Sequence, residues 1–256
     1  MIPGRVTVKA QVFATCSKCA TIWQTAGASY TGYGEEYFEH RGHNRPADGI
    51  VSAKIRSFEG FWRQASAPPG SAVLEIGCAT GLGLAAGRNL GWEMFGLDVA
   101  DSAAAHANER GFAPGTVVKT LSQLEGRRFS AVGFFDALEH IPDPFGFLSD
   151  LNPLLRPDAD VVVVLPRSDT GSRRILGCWW PHYLPDHWVH FSAAGIRLLA
   201  DRSGYRLVKS FAPRKLITPF TLSRHLALHS GFSIPAPTWP VFSFNIGQGG
   251  YVLRRC

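Results

Sequence analysis

One stretch of this sequence has the residue types and spacing of a ligand site. It is Leu74-Glu75-Ile76-Gly77-Cys78-Ala79-Thr80-Gly81-Leu82-Gly83, with Asp98 following at a distance that suits one helix and one strand. Glycines after a strand let the backbone approach a ligand closely, and the helix behind them offers free N–H groups. An acidic residue at the end of the next strand can accept both hydroxyls of a ribose. The layout is that of a nucleotide-type site. The dinucleotide pattern G-x-G-x-x-G would begin at Gly77, but Ala79 and Leu82 stand at its second and third glycines, which disfavours a nicotinamide cofactor.

A second set of residues could move protons. His140 follows an apolar strand, and His187 lies in a run with His182, His190, Trp179, Trp180, Tyr183 and Trp188. Imidazole titrates near neutrality, so either histidine could act as a general base. Each also has a plainer role open to it. His140 could bond the backbone at a helix start, and the aromatic run could pack a core rather than wall an acceptor pocket. Cys178, His182, Asp186, His187 and His190 match no zinc spacing, and no bound metal is expected from them. Cys16-Ser17-Lys18-Cys19 is half of a zinc ribbon, and two thiolates alone do not close a structural site.

These residues need elements to hold them. Ala72 to Ile76 reads as a buried strand leading into the glycine turn and an Ala/Leu-rich helix. Trp92 to Leu97 is a second strand, and Asp101 or Ser102 caps the next helix, which runs to Gly111. Val117-Val118 is a short third strand and Ser130 to Phe135 a fourth. Pro144 to Leu155 is helical, and Asp160 to Leu165 is a fifth strand of nearly unbroken valine. Ser192 to Ser203 forms a helix ended by Gly204, Tyr205 to Phe211 a sixth strand, and Gly250 to Arg254 a last one. Upstream, Gly49 to about Ala65 is a helix with Asp48 as its N-cap, stopped by Pro68-Pro69-Gly70. Apolar strands alternating with helices make a parallel sheet covered on both faces.

Composition bounds the setting. A chain of 256 residues, 45% hydrophobic and 18% charged, is globular and can bury one substantial core. Its net charge of +6 comes from scattered Lys and Arg, which gives no strong nucleic-acid signal. Five cysteines imply no disulfide framework and agree with a reducing compartment. No apolar stretch is long enough to span a bilayer, and no apolar run follows the N-terminal charges, so a cytoplasmic protein is expected.

The motifs, taken in order, resemble class I methyltransferases of the type 11, 12 and 23 families. The glycine run and Asp98 are similar to their first motif. Phe134-Phe135-Asp136-Ala137-Leu138-Glu139-His140-Ile141-Pro142-Asp143-Pro144 is similar to the segment after their fourth strand. Leu154-Leu155-Arg156-Pro157-Asp158 and His187-Trp188-Val189-His190-Phe191-Ser192 resemble the approaches to their fifth and sixth strands, so the likeness covers roughly residues 70–211. Tyr33 to Arg41 resembles a Tyr-rich stretch of relatives, with Tyr37 and Arg41 placed to cover a cofactor.

The resemblance implies a Rossmann-like, doubly wound α/β fold with a seven-stranded, mostly parallel sheet and helices on both faces. Residues 1–69 would form a lid and residues 70–256 the catalytic domain, with acceptor-binding insertions around 167–191 and 212–245. It implies S-adenosylmethionine as cofactor and S-adenosylhomocysteine as product. Glu75, Gly77 and Gly81, with Cys78 and Ala79 between the glycines, would shape the methionine side of the pocket. Asp98 would hold the ribose and Val99 would lie against the adenine, while Thr120 stands near where many relatives carry an adenine-binding Asp. Phe135 and Asp136 would line the reactive end, with His140 and His187 as candidate bases. Some quinone-type methyltransferases bind a divalent ion through a Glu-His pair, which leaves that route open for Glu139 and His140. The expected acceptor is a small molecule, with O-, N- and C-methylation all open. An RNA or protein methyltransferase, or a non-catalytic binding module, is the alternative. Segment 212–245 completes the pocket, a homodimer contact or a membrane-facing patch.

Overall fold

The computed structural model describes residues 5–8, 11–26, 48–180, 182–184, 186–217, 219, 241–245 and 247–256. The described residues begin with three antiparallel strands, β1 (Arg5–Val8), β2 (Gln11–Thr15) and β3 (Ile22–Ala26). Helices and strands then alternate: α1 (Asp48–Trp62), β4 (Ala72–Ile76), α2 (Leu82–Asn89), β5 (Glu93–Leu97), α3 (Asp101–Glu109), β6 (Val117–Val118) and β7 (Phe129–Phe135). Next come α4 (Pro144–Leu151), β8 (Leu155–Pro166), α5 (Gly171–Leu176), β9 (Val189–His190), α6 (Ala193–Arg202) and β10 (Tyr205–Phe211). The strands β11 (Lys215–Ile217), β12 (Phe242–Phe244) and β13 (Gln248–Arg255) follow. Tyr37 and Arg41, and most of segment 212–245, lie outside the described residues.

Seven strands form one sheet in the order β6-β5-β4-β7-β8-β13-β10. The first five run parallel, and β13 lies antiparallel between β8 and β10. This is the expected doubly wound fold, and strand periodicity explains its layers. Val161, Val163 and Leu165 of β8 pack with Leu148 and Leu151 of α4 and with Ile196 and Leu199 of α6. Val162 and Val164, pointing the other way, pack with Phe61 and Trp62 of α1 and Leu84 of α2. A strand buried on both faces can be apolar at every position, which is why its sequence does not alternate. Among the described residues no helix is long and apolar enough to cross a membrane.

Several boundaries differ from the sequence reading. Asp101 is the first residue of α3 rather than its cap; Ala100 holds that position and makes no side-chain capping bond. α4 stops at Leu151, because Pro153 cannot continue the helical hydrogen bonding, and a 3₁₀ turn (Asn152–Leu154) follows. β8 starts at Leu155: its pairing with β7 jumps from Leu155 to Asp160, and the polar Arg156-Pro157-Asp158 sits exposed in the irregularity.

The antiparallel strands β1–β3 had no clear signal in the sequence. β3 pairs with β9, setting Ile22 opposite His190 and Trp23 opposite Val189. Phe13, Ile22, Trp180 and Tyr183 form a small core between these strands and the aromatic loop. Trp180 and Tyr183 therefore pack rather than project. His190 lies inside this core, within 5.6 Å of the Phe13 ring and 5.2 Å of Tyr183. Burial, reinforced by the neighbouring charges of His182, Arg173 and His140, lowers its pKa to about 3.

The chain leaves β4 for β5 on one side and later returns to β7 on the other, so β4 and β7 border the topological switch point, where open α/β sheets bind ligands. The two turns leaving these strands nearly touch. A Cβ on Gly77 would lie 2.8 Å from the Ala137 Cβ, and Gly77 has φ +72°. Ala79, two residues on, also sits in the left-handed region at φ 45°.

Two outcomes are expected. A left-handed L-residue costs about 1–2 kcal/mol, part of which glycine returns as chain entropy, so Ala79→Gly should stabilise the fold by roughly 0.5–1 kcal/mol. A thermal melt reads this as a rise of about 1–4 °C. For His190, the unfolded chain takes up a proton near pH 6.5 while the folded one stays neutral down to about pH 3. The stabilisation is therefore complete above pH 6.5 and drains as pH falls, by about 1.4 kcal/mol per pH unit. Urea unfolding at pH 6.5 and 5 should show the unaltered protein losing about 2 kcal/mol relative to His190→Gln, a difference in which the opposite contributions of the buried carboxyl groups, common to both proteins, cancel. Equal pH dependence in the two proteins would refute the assignment.

Candidate active site

The crevice at the switch point is lined by the two turns just described and by the end of β5. Asp98, immediately after β5, fastens them. Its Oδ2 accepts a hydrogen bond from the Ala79 N–H at 2.8 Å and its Oδ1 one from Ala100 at 2.9 Å. Each carboxylate oxygen keeps further acceptor capacity, as bidentate recognition of a diol requires. Burial raises the Asp98 pKa, and the two amides oppose that shift.

Glu75 on β4 is buried beneath the start of α2. A Cβ on Gly83 would fall 2.0 Å from its Oε1, so the glycine there makes room for the carboxyl group. Glu75 Oε2 has no hydrogen-bond partner among the described residues. Burial, and then the charge of Asp98, push its pKa well up. Gly81, at φ 71°, precedes the first turn of α2. Cys78 is buried with its Sγ against Gly96, where a Cβ would lie 2.6 Å away. Val99 is 62% exposed and offers an apolar surface at the crevice edge. Thr120 is exposed and forms a capping box with Gln123, starting the turn Leu121–Leu124.

The other wall follows β7. The Phe135 ring packs into the α1 aromatic cluster, 4.7 Å from Trp62 and 5.4 Å from Phe61, so it supports the wall from behind. Asp136 has φ 52°, and its carboxylate takes hydrogen bonds from Gln248 Nε2 at 2.5 Å and from the Lys215 ammonium. The turn Leu138–His140 then presents Glu139 and His140. The His140 Nδ1 lies 2.9 Å from the Asp186 carbonyl oxygen and 3.4 Å from its carboxylate. A carbonyl can only accept, so Nδ1 carries the proton and the basic lone pair sits on Nε2. His187 lies edge-on to His140, ring centroids 4.6 Å apart. Glu139 is 1% exposed, neither carboxylate oxygen has a hydrogen-bond partner among the described residues, and burial drives its pKa well up. The donor atoms of Glu139, His140 and His187 all lie within 4.8 Å of one another.

Cys16 and Cys19 sit on the turn between β2 and β3. The backbone N–H groups of Cys19 and Lys18 hold the Cys16 thiol below its usual pKa. Among the described residues no third metal-binding side chain joins them.

The fold thus gathers Glu75, Gly77, Ala79, Gly81, Asp98 and Val99 on one wall, and Asp136, Glu139, His140 and His187 on the other. Sequence reasoning missed Lys215 and Gln248, the partners of Asp136, and it weighed Asp186 only as a metal ligand. Nothing local marks Lys215. Gln248 lay just outside the strand expected from Gly250.

Residues 48–210 match a family model for a methyltransferase domain of the type 23 group. A ubiquinone biosynthesis O-methyltransferase of Hahella chejuensis is 27% identical over 108 residues, 40% of this chain and 45% of that protein. One of Cereibacter sphaeroides is 35% identical over 107 residues, 38% and 43% respectively, so the chain spans less than half the length of the curated relatives it matches. Magnesium protoporphyrin IX methyltransferase of Synechocystis with bound SAH superposes with a TM-score of 0.54 at 13% identity, over 87% of this chain and 94% of that one. A SAM-dependent methyltransferase of Aquifex aeolicus gives 0.54 at 12% identity, over 85% and 97%. Because the family match takes in more than half of the chain, the chain belongs to that methyltransferase-domain family, within the class I S-adenosylmethionine-dependent methyltransferases.

Proposed function

We propose that the protein transfers a methyl group from S-adenosylmethionine to a hydroxyl oxygen of a small-molecule acceptor, a phenol being the class that fits best. The observation that carries the acceptor side is His140, fixed by Asp186 beside the crevice with its basic nitrogen set as Nε2. The names of the ubiquinone biosynthesis O-methyltransferases support an oxygen acceptor. Residues 1–69 would cover the cofactor, with acceptor contacts from 167–191 and 212–245.

Bound S-adenosylmethionine supplies an electrophilic methyl group on a sulfonium centre. Asp98 would hold the ribose hydroxyls and the apolar surface of Val99 would receive the adenine, with Thr120 beside it. Glu75, through its partnerless Oε2, takes the methionine amino group, and the turn from Gly77 through Cys78 and Ala79 to Gly81 lets that moiety lie close to the backbone. Phe135 backs the reactive end, and Asp136, restrained by Lys215 and Gln248, gives it a fixed polar edge. His140 accepts the acceptor's proton at Nε2 as its oxygen attacks in line, and His187 lies against the His140 ring and limits its rotation.

A second reading has one specific observation behind it. Glu139 is buried with both oxygens partnerless, beside two imidazoles. Glu139, His140 and His187 would suit a divalent cation, which would polarise the acceptor oxygen and lower its pKa in place of a general base.

Two measurements test these readings. Calorimetric titration should show S-adenosylmethionine and S-adenosylhomocysteine binding that weakens about 30- to 100-fold in Asp98→Ala, as loss of a charge-assisted hydrogen bond predicts. Absence of binding to the unaltered protein would sink the proposal. With a phenolic acceptor panel, S-adenosylhomocysteine release should fall about 10²- to 10⁴-fold in His140→Gln with cofactor affinity intact. Asp186→Asn should shift the acidic limb of the kcat/KM profile to lower pH, because the imidazolium loses its carboxylate neighbour. Activity that survives exhaustive chelation supports the base. Activity lost on chelation and restored by a divalent ion supports the cation.

A further inference from the structure

The loop that follows β8 carries a helix that contributes nothing to the core. No residue of α5 is buried. Ile175 is 85% exposed, Leu176 42% and Trp179, in the turn just beyond, 79%. Isolated exposed apolar residues are ordinary, but three within five positions are not.

This segment is nonetheless firmly held. Thr170 caps α5 by accepting from the Arg173 N–H. The Arg173 guanidinium donates to the Ser168 carbonyl and to the Tyr183 hydroxyl, and Trp180 is buried against Tyr183. Polar bonds at the base and one buried tryptophan behind it thus fix the helix, while its large apolar side chains face outward. Facing water, these side chains add little to folding stability.

The chemistry of the rim indicates what they could contact outside the fold. Residues 167–180 contain three arginines and one aspartate, on a chain of net charge +6. Arg167 pairs with Asp169 and Arg173 is used internally, which leaves Arg174 as an exposed cation beside Ile175. A tryptophan and two aliphatic side chains beside an exposed arginine match the boundary between headgroups and acyl chains in an anionic bilayer. The loop that carries α5 departs from the edge of the crevice. Pro166, ending β8, stands opposite Gln248, whose side chain holds Asp136.

We propose that Ile175, Leu176 and Trp179, with Arg174, form a peripheral docking site for an anionic phospholipid surface, placing the crevice mouth against the membrane. This does not depend on the acceptor or on catalysis, so its test is separate from theirs.

The test is co-sedimentation of the full chain with vesicles of phosphatidylcholine alone and of phosphatidylcholine mixed with phosphatidylglycerol. The unaltered protein should partition into the anionic vesicles, several-fold less at high salt, and far less into the neutral ones. The double variant Ile175→Glu, Trp179→Glu should lose at least about tenfold of that partitioning while keeping its melting temperature. Val208→Glu, changing an exposed apolar residue on the distant β10, should bind as the unaltered protein does. Failure to bind anionic vesicles, or binding indifferent to the double variant, would overturn the proposal. So would a concentration-dependent dimer that the double variant dissolves, since the patch would then face a second copy of this chain.

Discussion

The site depends on one carboxylate being held in place before any ligand arrives. Asp98 bonds the amides of Ala79 and Ala100, tying the turn after β4 to the turn after β5. Without that tie, the glycine run would be a loop free to sample many shapes, and ligand binding would have to supply the cost of ordering it. The tie also constrains its surroundings. Ala79 is drawn into a left-handed conformation, and Gly77 must pass within contact of Ala137. The strain sits where a functional site would place it.

Buried acidity is the second theme. Glu75 and Asp98 lie on one wall and Glu139 on the other, and burial raises the pKa of all three. A sequence selected for stability alone would not place partnerless carboxyl oxygens at Glu75 and Glu139 inside the protein. Each is poised toward a positive or proton-donating group from outside the chain. A positively charged ligand group entering this crevice would be attracted to them, and burial strengthens that attraction by excluding water. The architecture thus exchanges some stability of the free protein for a ready electrostatic cradle.

Whether a feature was legible in the sequence depended on how local its cause is. The parallel strands and their helices follow from runs such as Val161–Leu165, where burial on both faces is written as unbroken apolarity. Asp98 was visible because helix and strand lengths fix its distance from Gly81. The strands β1–β3 were not visible, because their apolar face is completed by Trp180 and Tyr183, more than 150 residues away in sequence. Gln248 and Lys215 were hidden for the same reason: their meaning lies in Asp136, reached across the sheet. The start of β8 was missed because Arg156, Pro157 and Asp158 sit exposed in an irregularity that pairing alone explains.

The two halves of the crevice are therefore built on different terms. The wall beside Asp98 uses backbone turns and consecutive parallel strands, so its geometry is fixed by local chain, and the fold that carries it is shared with proteins of 12–13% identity. The opposite wall is assembled from β7, the aromatic loop and the late strands, with side chains such as His140, Asp186, Lys215 and Gln248 meeting across long separations. Changes in those late segments can alter this wall without disturbing the turns that Asp98 ties together. The loop bearing α5 belongs to this second half, since Ser168 at its base bonds Ala20 of the N-terminal strands' turn, and no buried side chain of α5 ties it to the sheet. A rim free of core duties is free to be shaped by what it meets outside, as the exposure of Ile175 and Trp179 illustrates.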